Sequence, residues 1–197
     1  MLKVGITGGI GSGKTTVCKI FETLGISVYY ADERAKSLMI SDAKLINEIC
    51  KLFGEDAYTK DGTLNRKWIA AKVFNDKNLL QQLNNIVHPA VFFDTQQWFQ
   101  AHLDKAYVLY ESAIMYESGS STLLDKIIAI SSPIEDRINR TILRDNIAKE
   151  AVLERMDKQL PSEEIVKKAD FVIYNDNTHT LIEQVLTIHG ELISLAQ

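Results

Sequence analysis

The sequence predicts an α/β fold with a five-stranded parallel sheet covered by helices on both faces. Three observations predict it. Short apolar stretches rich in β-branched residues alternate with segments of helical periodicity. The strands read as continuous apolar runs, as expected when both faces of a sheet are buried. The first strand, helix and strand fit into about 30 residues, the length of a βαβ unit with a right-handed crossover.

The first strand is Leu2 to Thr7, stopped by glycines. The first helix, Thr15 to Leu24, places Val17, Ile20, Phe21 and Leu24 on one face, and Gly25 ends it. Ile26 to Tyr30 is the second strand, followed by polar Ala31-Asp32-Glu33-Arg34. From about 41 to 103 only helical spacing appears, in Leu45, Ile46, Ile49 and Leu52 and again in Leu79, Leu80, Leu83, Ile86 and Val87, with a turn at Lys60-Asp61-Gly62. This block is a helical insertion within a single domain spanning 1–197. Its aromatics Trp68, Phe74, Phe92, Phe93 and Trp98 have the spacing of core residues. Strands return at Ala106 to Tyr110 and Lys126 to Ile130.

Ser132-Pro133-Ile134-Glu135 reads as a helix start with a capping box, Pro133 taking the first helical position. Two polar helices follow before the last strand, Phe171 to Tyr174. A turn at Asn175-Asp176-Asn177 then leads to a closing amphipathic helix, Leu181 to Leu195.

Composition excludes several functions. With 46% hydrophobic and 24% charged residues and a net charge of −4, the chain has the profile of a globular enzyme. It lacks the basic face that nucleic acid requires. No apolar run reaches the roughly 20 residues that span a bilayer, and no leader precedes the first strand. Cys18, Cys50 and the four histidines lack metal spacing, and the cysteines suit buried reduced thiols in a cytoplasmic protein. A monomer or weak homo-oligomer is expected.

Residues 8 to 15, GGIGSGKT, lie between the first strand and the first helix and fit G-x-x-x-x-G-K-[ST], the P-loop pattern. Backbone N–H groups of Gly9, Ile10, Gly11, Ser12, Gly13, Lys14, Thr15 and Thr16 can approach phosphate oxygens, and the helix dipole adds positive potential. Lys14 can reach the β- and γ-phosphates of ATP, and the Thr15 hydroxyl can ligate Mg²⁺. A dinucleotide fingerprint is disfavoured: it puts Lys14 or Thr16 where a glycine is required. No N-K-x-D segment selects guanine, and there is no switch-loop motif.

Further motifs follow in order: Tyr30-Ala31-Asp32-Glu33-Arg34-Ala35-Lys36, Gly62-Thr63-Leu64-Asn65-Arg66, Val73-Phe74 and His88-Pro89. After them come Ala113-Ile114-Met115-Tyr116-Glu117, Arg140-Thr141-Ile142-Leu143-Arg144-Asp145, Arg155 to Gln159, and Asp170 to Asn177. In this order and spacing the chain resembles the dephospho-CoA kinase family, along nearly its whole length. It departs from the family's D-A-D-x-x-A-R at Tyr30 and Lys36, and from P-L-L-F-E at Ala113.

The resemblance implies ATP-dependent phosphorylation of the ribose 3′-hydroxyl of dephospho-CoA, with Mg²⁺. It also implies that the insertion binds the acceptor and that 134–160 forms a lid. Asp32, after the second strand, is then base or positioner of the acceptor hydroxyl; from position alone a helix cap serves as well. Arg140 and Arg144, four residues apart on one helical face, are placed to neutralise the transferring phosphoryl group, ahead of Arg137. The bland alternative is a solvated face paired with Glu135, Asp136 or Asp145. Arg66, Lys67 and His88 are candidates for the acceptor's phosphates, although His88 before Pro89 equally suits a packed helix boundary. Asn175 joins the nucleotide site. Glu111 can act through water on Mg²⁺, while a cap or surface role suits both it and Glu117. The alternatives are a nucleoside or nucleotide kinase of the same architecture and a non-catalytic nucleotide-binding switch.

Overall fold

The structure is a computed structural model, and it describes residues 1–74 and 76–197. Five parallel strands, β1 (Leu2–Thr7), β2 (Val28–Tyr30), β3 (Tyr107–Glu111), β4 (Lys126–Ser131) and β5 (Phe171–Tyr174), form one sheet in the order β2-β3-β1-β4-β5. The central strand β1 pairs Val4 with Leu109 of β3 and Ile6 with Ile128 of β4. Its carboxyl end therefore emerges in the middle of the sheet, where the strand order reverses and ligands gather in such folds.

The chain divides into two compact units, Met1–Tyr30 with Phe99–Gln197, and Ala31–Trp98. In the first, α1 (Lys14–Thr23) and α9 (Leu181–Leu195) pack on the sheet and on each other. Alternate strand residues Val4, Ile6, Tyr107, Leu109, Ile128, Ile130 and Ile173 meet Val17, Cys18 and Phe21 of α1 and Val185, Ile188 and Leu192 of α9. The intervening residues Val108, Tyr110, Ile127 and Ala129 are buried too. Both faces are thus covered, which is why the strands read as unbroken apolar runs. Each buried aliphatic side chain here stabilises the fold by about 1.5–3 kcal/mol. Gly25, with φ +82°, ends the α1 turn by donating to the Glu22 carbonyl.

Between β4 and β5 lie three helices, α6 (Ile134–Asp145), α7 (Lys149–Met156) and α8 (Ser162–Lys168), one more than the sequence pattern separates. Asn146 in a left-handed conformation ends α6, a break that Asn tolerates and that periodicity does not reveal. The expected capping box does not form. Pro133 precedes the first helical residue instead of occupying it, and the Ser132 hydroxyl accepts from Arg140 Nη1 at 3.0 Å.

The second unit contains α2 (Ala31–Ser41), α3 (Ala43–Phe53), α4 (Arg66–Phe74) and most of α5 (Lys77–Gln100). Leu45, Ile49, Ala57, Leu64, Ile69, Leu83 and Val87 form its core. Asp42 caps α3 by accepting from Lys44 N and Leu45 N. Three aromatics expected in the core are not there. Phe74, Phe92 and Phe93 are 67%, 50% and 65% exposed, because their helices turn other residues inward. His88-Pro89 is not a helix boundary, since α5 continues through Pro89 and His88 is exposed. Cys18 is buried, but Cys50 is only half-buried; both are free thiols. Among the described residues no helix is long and apolar enough to cross a membrane.

Candidate functional site: a glycine-rich phosphate cradle

The cradle runs from the end of β1 into the first turn of α1. It is tightly built, because three later segments press against it. Gly13 has φ +99°, and a Cβ there would overlap Asn175 Nδ2. That amide donates to the Ser12 carbonyl at 2.8 Å. Gly11 has φ +75°, and a Cβ there would overlap the Arg137 carbonyl and the Thr141 hydroxyl. Both positions need glycine for backbone conformation and for space. The Arg137 guanidinium lies over Gly9 in the same way, and its Nε donates to the Ile10 carbonyl at 3.0 Å. Gln159 completes the ring: its Oε1 accepts from Ile10 N at 2.8 Å.

Inside the cradle the Lys14 ammonium is buried and donates to the carbonyls of Gly8 at 2.9 Å and Gly9 at 3.3 Å. The Ser12 hydroxyl is buried without a protein partner. The first N–H groups of α1 have no intrahelical acceptor, as at any helix start. Thr15 and Thr16 are exposed in that first turn. A buried cation, an orphaned hydroxyl and converging backbone donors are the chemistry of a phosphate site. The exposed Thr15 hydroxyl, next to Lys14, fits one ligand position of a cation shared with phosphate oxygens.

Beneath the cradle Glu111, 7% exposed, ends β3 in register with Ile6 and Tyr30, so it is not a surface carboxylate. Burial pushes the Cys18 thiol well above its ordinary range; the Glu111 and Glu22 carboxylates add to this and Lys14 opposes it. The Tyr30 phenol is likewise held up by burial, by Cys18, and by a hydrogen bond with Glu22. Glu117 is also engaged: its Oε1 accepts from Leu160 N at 2.8 Å.

The arginines of α6 differ in their surroundings. Arg137 is buried, and desolvation lowers its pKa from the ordinary value. Arg140 bonds Ser132 and lies 3.6 Å from Asp136. Arg144 is exposed and pairs with Asp145 at 2.7 Å; Arg155 pairs with the same carboxylate at 2.8 Å. Arg137 therefore touches the cradle, while Arg140 and Arg144 are engaged beside it. In the second unit, Asp32 is exposed in the first turn of α2, two residues past β2. It lies inside the helix, which starts at Ala31, and not at a cap position. Arg66, Lys67 and His88 are exposed.

Gln159 is the contact that sequence reasoning passed over. It lies 149 residues from Ile10, and its only sequence signal is the Arg155-to-Gln159 spacing.

A parallel sheet of this order with a glycine cradle at its central strand defines a P-loop nucleotide-binding protein. The family model for dephospho-CoA kinase matches residues 2–180. The chain is 38% identical to the dephospho-CoA kinase of Bacteroides fragilis (95% of this chain, 91% of the relative). It is 41% identical to that of Salinibacter ruber (90% of each). Among solved structures, dephospho-CoA kinase from Campylobacter jejuni superposes with a TM-score of 0.74 at 28% identity, covering 99% of this chain and 98% of that one. The chain belongs to the dephospho-CoA kinase family.

Proposed function

We propose that the chain transfers the γ-phosphoryl group of ATP to the ribose 3′-hydroxyl of dephospho-CoA, giving coenzyme A and ADP. The observation that carries this reading is the family match over residues 2–180, which includes both the cradle and the helical unit.

The backbone donors of Gly11, Gly13, Lys14, Thr15 and Thr16 hold the phosphates of ATP. The N–H groups expected to join them at Ile10 and Ser12 are spent within the protein on Gln159 and on the Gly9 carbonyl. Asn175 keeps the loop in shape through Ser12. Lys14 exchanges its bonds to Gly8 and Gly9 for oxygens of the β- and γ-phosphates. The acceptor oxygen forms its bond to the γ-phosphorus as the bond to the β-bridging oxygen breaks. Asp32 takes the acceptor's proton or holds that hydroxyl in line. Arg140 and Arg144, on a lid about 134–160, neutralise the transferring group once freed from Asp136 and Asp145. Thr15 would hold Mg²⁺, which when bound would supply charge neutralisation to the phosphates. The second unit is the acceptor-binding insertion, where Arg66 and His88 meet the acceptor's phosphates.

The test is phosphate transfer from ATP to dephospho-CoA, run beside a panel of nucleosides and nucleotides. Turnover with dephospho-CoA at least about 100-fold above every other acceptor is expected, a discrimination within the reach of positioned polar groups. Preferential turnover of a nucleoside or nucleotide overturns the assignment.

A further inference from the structure

The backbone of Ile10 is gripped on both sides, at its N–H and its carbonyl, by side chains from far along the chain. Its N–H donates to Gln159 Oε1 at 2.8 Å, and its carbonyl accepts from Arg137 Nε at 3.0 Å. Each gripping side chain is tied down at its other end. Gln159 Nε2 donates to the Ala113 carbonyl at 3.1 Å, just past β3. Arg137 Nη1 donates to the hydroxyl of Ser162, the first residue of α8. Glycines flank the gripped residue, and they resist rotation of the backbone poorly. Left alone, a Gly-Ile-Gly segment samples orientations that aim carbonyl oxygens at the phosphates.

We propose that Gln159 and Arg137 are positioning residues that lock the two peptide groups on either side of Ile10, so that the phosphate cradle is formed before ATP arrives. Neither needs to touch ATP; both act through the loop's backbone. Preorganisation of this kind removes the ordering cost from the binding step, so its loss appears as weaker ATP binding. The two grips come from opposite ends of the α6–α7 segment, whose base is thereby fixed to the cradle. The inference rests on residues 8–15 being the ATP site.

The experiment uses the full chain with Gln159→Met, which keeps the side chain's length and removes both hydrogen bonds. ATP KM should rise about five- to tenfold, the effect of losing the bond to Ile10 N–H together with the Ala113 tie that anchors it. The KM for dephospho-CoA should not move. A merely structural Gln159 would lower the active fraction and leave ATP KM alone, and that result overturns the inference. Lys14→Ala in the same series separates the two readings. If Lys14→Ala weakens binding of a non-hydrolysable ATP analogue and Gln159→Met does not, only the lock is wrong. If neither weakens it, the ATP site is misassigned and the lock falls with it. Should Gln159→Met not fold, amide exchange of Ile10 in the unmodified chain decides. A slowly exchanging Ile10 N–H without ATP is expected, and exchange at the rate of an open loop rejects the lock.

Discussion

Asn175, just past the end of β5, donates its side-chain amide to the carbonyl of Ser12 at 2.8 Å, and the same amide occupies the space that a side chain on residue 13 would need. One hydrogen bond thus ties the sheet's outermost strand to the cradle on its central strand. The consequence is testable at Gly13. Gly13→Ala should destabilise the fold by about 1–3 kcal/mol through its φ of +99° and cut turnover sharply. Adding Asn175→Ala should restore part of the stability, since it removes the overlap and leaves the backbone strain. Thermal melts of the two variants check this; no recovery in the double variant argues against the overlap.

Lys14→Ala should lower kcat by roughly 10² to 10⁴, the effect of losing a positioned charge at the transferring phosphate. The fold should survive, because the ammonium's bonds to Gly8 and Gly9 lie in the loop and the sheet's apolar core is left intact. Steady-state kinetics with circular dichroism on the same preparation provides the comparison. Near-native turnover would strip the cradle of catalytic meaning.

Asp32→Asn should lower kcat by roughly 10² to 10⁴ with little change in ATP affinity, if the carboxylate is base or positioner. Asp32 lies inside the first turn of α2, where a carboxylate favours the helix dipole by only about 0.3–1 kcal/mol. Asparagine keeps the size, so a stability role predicts nearly unchanged turnover. Partial rescue by raised Mg²⁺ would instead point to a metal role.

Closure of the lid should show as slower hydrogen exchange when both substrates are bound. The base of α6 is already held by Arg137 against Ile10 and by Thr141 against Gly11. The gain in protection should therefore concentrate in residues 144–158, and 134–141 should change little. Equal protection with and without substrates along the whole segment would rule out a closing lid.

Asp145 gathers Arg144 and Arg155, and the Arg144 hydrogen bond holds its carboxyl below the usual carboxylate range, with Arg155 contributing. A depressed folded pKa means that the pair's stabilisation is present above the unfolded value, about 4. It is lost as pH falls through the folded value. Wild type and Asp145→Asn should therefore differ in melting temperature near neutrality and converge only once pH has fallen below the depressed folded value of Asp145. A difference that persists in acid would contradict the pairing.

Sequence alone determined the sheet and the cradle. Leu181 to Leu195 and Phe171 to Tyr174 have the bounds that periodicity assigns, since burial on one or both faces writes itself directly into residue spacing. The glycine pattern at 8–15 was legible for a similar reason: close backbone approach and positive φ leave few other residues usable. Tertiary structure decided the rest. Spacing marks Phe92 and Phe93 as apolar but does not say which helix face is covered, and the fold leaves them exposed. Helical spacing gives Arg140 and Arg144 a shared face, yet Arg137 is the one that meets the cradle, because the rotation of α6 is set by packing. Gln159 reaches Ile10 across 149 residues, and no local pattern encodes a contact made only when distant segments are brought together by the sheet.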